Sequence, residues 1–210
     1  MTSNLLRRYS GFSYLYLDFA SEINELILTM AQEGMPFFLY ETYRTPQRQM
    51  SLRREGYGTH RDVFMNAHVN GLAVDFLFDK RAVTNLNSDS RTIQEIVEDT
   101  LNQDSDTDNR NEVYNIGTNL IPEYGKKTRT IVQDQLVLNS WMRLGTLIEK
   151  EFPKLMWGGN RDIKKGQLIG VDPPHVEFRD SKNLIRSKIA ITEIRTRGAP
   201  GLELRGRKYL

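Results

Sequence analysis

The sequence predicts an α+β fold: a small antiparallel sheet with flanking helices and a helical insertion. Three observations predict it. Two long segments carry apolar residues at helical spacing, several short runs are apolar or aromatic enough for strands, and a polar stretch separates the two halves.

The elements are taken in chain order. Leu17, Ala20, Ile23, Ile27, Met30 and Ala31 recur three and four residues apart, which predicts a helix over Leu17 to Gly34. Gly34 suits the left-handed residue that closes a helix, and Pro36 prevents continuation. Phe37 to Thr42 is a short aromatic strand. Thr45-Pro46 reads as an N-cap followed by proline in the first helical position, for a helix reaching about Glu55 and ended by Gly56. Leu72 to Phe78 is a second strand, apolar on both faces except at Asp75. Residues 80–133 read as an insertion, in which Ser90 caps a helix over Arg91 to Asn102. Val137, Trp141, Leu144, Ile148 and Phe152 form the stripe of a helix over Gln135 to Phe152, which Pro153 ends. Trp157-Gly158-Gly159 is a turn, and Val171 to Phe178 is extended. Beyond it, Ile189, Ile191, Thr192 and Ile194 alternate weakly, as an edge strand would.

Composition narrows the function. The chain has 210 residues, 39% hydrophobic and 27% charged, room for one domain with a long insertion. No apolar run approaches the roughly 20 residues that span a bilayer. Behind Arg7-Arg8 there is no apolar stretch of the signal-peptide kind, so synthesis in a cytoplasm without such a leader is expected. Cysteine is absent, which excludes disulfides, thiolate metal sites and thiol nucleophiles. Any metal must be held by His, Asp or Glu, and the only histidines are His60, His68 and His175. The formal charge of +2 is too small to argue for nucleic acid. From Ser181 to Leu210, however, eight Lys and Arg stand against two Glu, a basic tail on a mildly acidic body.

Two stretches carry the candidate chemistry. One runs from Asn66 through His68 and Gly71 to Asp75, the other from Asp172 through Pro173-Pro174 to His175 and Glu177. A carboxylate in the middle of an apolar strand is costly unless it is paired or binds metal. His68, Asp75 and His175 together offer two imidazoles and a carboxylate, a common way to hold catalytic zinc with one position left for water. Asp172, three residues before His175, is placed to take a proton as general base, although a turn before two prolines also favours Asp. Glu177 shares a strand face with His175, where it either orients that ligand or serves as base instead. His60 stands outside both stretches and reads as an ordinary histidine.

These stretches resemble the zinc peptidases of the D-alanyl-D-alanine carboxypeptidase and L-alanyl-D-glutamate endopeptidase family, which includes many phage endolysins. His68, Gly71, Ala73 and Asp75 match one block of that family, and Asp172 with His175 matches a downstream block. Tyr43, Arg44, Thr45 and Gln49 match an upstream block, and Trp157-Gly158-Gly159 matches a fourth. The order is the family's, and the likeness covers about residues 17–80 and 135–179. It implies zinc on His68, Asp75 and His175 in a cleft over the sheet, with Asp172 as base. It also implies that Arg44 points into the site to stabilise an oxyanion or a substrate carboxylate, with Gln49, Asn66 and Glu177 in support. Asn66 stands where the family usually has serine, and Asn160-Arg161 replaces an aromatic that often follows the glycines.

The resulting expectation is a zinc peptidase domain over residues 1–180, with an insertion at about 80–133 and a basic tail over 181–210. Its substrate would be a stem peptide of bacterial peptidoglycan, with an L-Ala-D-Glu cut preferred over a D-Ala-D-Ala end. It would be a phage lysin made in the host cytoplasm, acting at the cell wall or carried in the virion. The tail would be a solvated end able to touch an anionic polymer or a virion protein. The alternative is a virion structural or adaptor protein that keeps the fold without turnover.

Overall fold

The computed structural model describes residues 5–55, 62–78, 135–161, 169–170 and 172–202. The expected helix after Ser90, the insertion, Gly56, His60, Val171 and the last eight residues lie outside them. The elements, in order, are α1 (Leu17–Gln32), β1 (Phe37–Glu41), α2 (Pro46–Arg54), β2 (Ala73–Phe78), α3 (Gln135–Glu151), β3 (Leu155–Trp157), β4 (His175–Phe178), α4 (Ser181–Arg186) and α5 (Ile189–Thr196). Single 3-10 turns at Val63–Met65, His68–Asn70 and Gly158–Asn160 link them. The fold is α+β with one open sheet, ordered β1-β2-β4-β3 and antiparallel at every pairing. Among the described residues no helix is long and apolar enough to cross a membrane.

Local chemistry explains the boundaries. α1 ends where Gly34, at φ 63°, turns the chain, with Gly34 N donating to Ala31 O and Met35 N to Met30 O. That pair of bonds satisfies carbonyls a helix end otherwise leaves open. The Thr45 hydroxyl accepts from Arg48 N at 3.1 Å, and Pro46 opens α2. The stripe on α1 is rotated from the expected one: Phe19, Ile23, Leu26, Ile27 and Met30 are buried, while Leu17 is exposed.

Residues directly opposite in an antiparallel sheet share a face. Val74, Phe76 and Phe78 therefore lie on the same side as Phe37, Leu39, Val176, Phe178, Leu155 and Trp157. This side packs with α1 and α3 into one core, through contacts such as Phe19 with Phe178 and Phe37 with Trp141. The opposite side carries Asp75, His175 and Glu177.

The C-terminal segment corrects the expectation of an edge strand and a solvated end. Residues 181–202 hold α4 and α5, and no strand follows β4 among the described residues. Ala190, Ile191 and Ile194 are buried, the spacing of a helical face, whereas Ile189 is 52% exposed. Ile191, Ile194, Ala199 and Leu202 form a second core with Tyr43, against which Tyr9, Tyr14 and Phe64 pack. The Tyr43 hydroxyl donates to Pro200 O at 2.7 Å. Arg197 donates to the Leu15 and Ser13 carbonyls, and Glu193 accepts from Leu17 N at 3.0 Å, so α5 clasps the lead-in to α1.

Candidate metal centre

Two local devices fix the three expected ligands. Asp75 sits mid-strand in β2, and its register partner on β4 is His175. His68 opens a 3-10 turn closed by Gly71 at φ 67°. A Cβ at Gly71 would collide with the Tyr14 carbonyl, so both conformation and space require glycine. The turn is tied down from above and below: Asn66 Oδ1 accepts from Val69 N at 3.4 Å, and the Asn70 amide donates to the Phe64 and Asn66 carbonyls at 2.8 Å. Asn66 thus acts on the turn that carries His68 rather than on a ligand atom.

The ligand atoms converge. His68 Nε2 lies 3.3 Å and His175 Nδ1 3.2 Å from the same oxygen, Asp75 Oδ1. The three candidate atoms all lie within 4.8 Å of one another, and the group is almost wholly enclosed. Tetrahedral zinc with bonds of about 2.0–2.1 Å has ligand atoms roughly 3.3 Å apart. Two of the three separations match that edge. The far nitrogen of each imidazole is occupied: His68 Nδ1 donates to Thr42 O at 2.8 Å, and His175 Nε2 meets Glu177 Oε2 at 3.1 Å. Such partners fix which nitrogen faces the metal. His68, Asp75 and His175 can hold a metal ion, and their donor chemistry suits one that prefers imidazole and carboxylate.

The surroundings are strongly charged. Glu41 bonds both Arg44 and Arg48, and its carboxyl is held down at about 2: burial pushes it up, but the two guanidinium groups outweigh that. Arg44 Nη1 donates to Gln49 Oε1 at 2.8 Å, and its Nη2 reaches Asp75 Oδ2 at 3.3 Å. Burial also works against the charged Asp75, yet the two histidines and their hydrogen bonds bring its carboxyl well below its ordinary value. His175 is raised to about 9, because hydrogen bonds to Asp75 and Glu177 overcome the burial that disfavours its cation. Glu177 falls to about 2 against its own burial, through His175 and through Arg161, whose Nη2 lies 2.7 Å from Glu177 Oε1.

Asp172 is half-buried at the turn into β4, where its carbonyl accepts from His175 N at 3.1 Å. Its carboxyl is raised above the ordinary Asp range, by burial first and by Asp75, with His175, Arg161 and His68 opposing. Gly158 makes this turn possible. A Cβ there would collide with the Asp172 carbonyl and stand 3.0 Å from His175 Cβ. Trp157 Nε1 donates to Pro173 O at 2.7 Å, which holds the two prolines against the core.

The structure thus brings His68, Asp75 and His175 together, with Asp172, Arg44, Gln49 and Glu177 around them. Three participants were not singled out from sequence: Glu41, Arg161 and the Thr42 carbonyl. A carboxylate ending an aromatic run was the available signal for Glu41, by the same reasoning that drew attention to Asp75.

The fold and site define an α+β domain with a buried two-histidine, one-aspartate group. No protein-family model matches this chain, and no curated protein matches its sequence.

Proposed function

We propose that this protein is a zinc-dependent peptidase that cuts a peptide bond of bacterial peptidoglycan, an L-Ala-D-Glu bond in preference to a D-Ala-D-Ala end. The observation that supports this most is the convergence of His68 Nε2, Asp75 Oδ1 and His175 Nδ1, each imidazole oriented by a bond to its other nitrogen. The spacing of these residues resembles that of zinc peptidases acting on cell walls.

Bound by these three residues, zinc would supply Lewis acidity, making water nucleophilic near neutral pH and polarising the scissile carbonyl. The protein's own groups do the rest. Asp172 accepts the proton of the attacking water and returns it to the departing amine, a role suited to a carboxyl raised above the ordinary Asp range. Glu177 is engaged by His175 through one oxygen and by Arg161 through the other, so it serves to hold His175. Arg44 has its donors committed to Glu41, Gln49 and Asp75. It therefore favours developing negative charge through its field, at short range in an enclosed site.

The test is mass spectrometry of purified peptidoglycan after incubation with the zinc-loaded protein, with Asp172→Asn as control. New muropeptides from the wild type alone establish the enzyme, and their masses name the bond. No fragments from several wall types, despite stoichiometric zinc, would instead favour a structural or adaptor role.

A further inference from the structure

Two arginines stand beside the candidate centre, and they differ in what their donors are free to do. Arg44 spends Nε, Nη1 and Nη2 on Glu41, Gln49 and Asp75, and its side chain is only 12% exposed. Arg161 spends Nη2 on Glu177 and leaves Nε and Nη1 without a hydrogen bond among the described residues, with its side chain 35% exposed. Its backbone is fixed. Arg161 N donates to Gly158 O at 3.0 Å, Gly170 N bonds Gly159 O at 2.5 Å, and a Cβ at Gly170 would collide with the Arg161 carbonyl. Glu177, which aims the guanidinium, also holds the far nitrogen of His175 through its other oxygen. Arg161 is thus tethered one side chain away from a ligand, at the edge of the site, with two donors that no described residue uses. Its charge also reaches the Asp172 carboxyl.

A planar guanidinium with open donors is suited to a carboxylate, which it binds through two parallel bonds. In a chain cut at L-Ala-D-Glu, the D-Glu that supplies the leaving amine keeps a free α-carboxylate, because the stem continues from its γ-carboxyl. A terminal D-Ala likewise carries a free carboxylate on the amine side. We propose that Arg161 binds this carboxylate, and that the site therefore selects peptides whose residue after the scissile bond carries a free acid. This rests on the peptidase reading above and assigns to Arg161 a recognition role that the resemblance had offered to Arg44.

The test uses binding, so that turnover is not required. Zinc-loaded full-length Asp172→Asn protein is titrated calorimetrically with L-Ala-γ-D-Glu-L-Lys and with its α-carboxamide. The carboxylate form is expected to bind at least about tenfold more tightly, the scale of one charge-assisted fork. In Asp172→Asn/Arg161→Gln the two peptides should bind within about twofold of each other, and Arg161→Lys should restore part of the preference. Equal binding of the two peptides before Arg161 is changed would overturn the inference. So would a preference that survives Arg161→Gln, or a loss that Arg161→Gln inflicts on both peptides alike. Absence of binding by either peptide also overturns it. Muropeptide release by the wild type then separates the cases: if fragments appear, only the role of Arg161 fails, and if none appear, the peptidase reading fails too.

Discussion

Glu41 stands directly across the ladder from Asp75, and it does so because β1 bulges at Tyr40. Leu39 pairs with Phe76 and Glu41 with Asp75, so two residues advance on β1 for one on β2. Without the extra residue Glu41 would share the face of Leu39 and point into the apolar core. With it, Glu41, Asp75 and His175 line up across three strands on the side away from α1 and α3. The bulge therefore places a second carboxylate where Arg44 can bridge both.

Glu41→Gln should be among the more damaging isosteric changes in the protein. It leaves Arg48 buried without its carboxylate and Arg44 with Asp75 alone, and removing one partner of such a buried group costs about 3–5 kcal/mol. Urea unfolding at pH 7 measures this. A loss below about 1 kcal/mol would mean the network contributes little.

The same residue predicts an acid limb. Glu41 titrates at about 2 in the folded protein against an ordinary value of 4.5. A carboxyl lowered on folding stabilises above its unfolded value and loses that contribution as pH falls through the folded one. That lowering corresponds to roughly 3 kcal/mol, present above pH 4.5 and lost between there and pH 2. The stability gap between wild type and Glu41→Gln should narrow on going from pH 6 to pH 3. A gap that stays constant would show that folding does not lower the Glu41 carboxyl.

His68→Ala should lower zinc content sharply after dialysis, with unchanged content removing His68 as a ligand. Zinc should also raise the Tm of the wild type, since free ligand at a hundredfold excess over Kd adds about 2.7 kcal/mol. In His68→Ala that rise should largely vanish.

Asp172→Asn should keep zinc while hydrolysis falls by about a thousandfold, the usual weight of a positioned acid-base group. Retained turnover would move the base elsewhere. Gly158→Ala should lose activity as well, at least tenfold, because the added methyl pushes on the Asp172 carbonyl and on His175. Normal activity in that variant would show that the turn can yield.

Truncation separates α4 and α5 from the last eight residues. Deleting residues 181–210 removes Ile191, Ile194, Ala199 and Leu202 from the core around Tyr43 and should abolish cooperative unfolding. Deleting only residues 203–210 keeps all four of these side chains and should retain a cooperative transition. A cooperative transition in the longer deletion would make α4 and α5 dispensable.

Much of this was readable from residue types. The stripe on α3, the span of α1, the Thr45-Pro46 start and the two motifs that carry His68 with Asp75 and Asp172 with His175 each announce themselves within a short window. The rest depends on distant partners. The bulge at Tyr40 leaves no mark in an aromatic run, so Glu41 could not be assigned a face. α5 reads as a strand because Ile189, Ile191 and Ile194 suggest alternation, and only burial shows that Ile189 faces outward while Ala190 faces in. The commitments of Arg44 needed the positions of Glu41, Gln49 and Asp75 together.

The Asp75–His175 rung joins residues 100 positions apart. Closing so long a loop is slow, and contacts of large sequence separation govern folding rates. While the polypeptide is being made, His68 and Asp75 emerge long before their third partner, and β4 has no place to dock until β2 waits for it. The centre is therefore among the last features to form during synthesis. A metal ion bridging β2 and β4 would then act as a latch across that excursion, slowing its reopening.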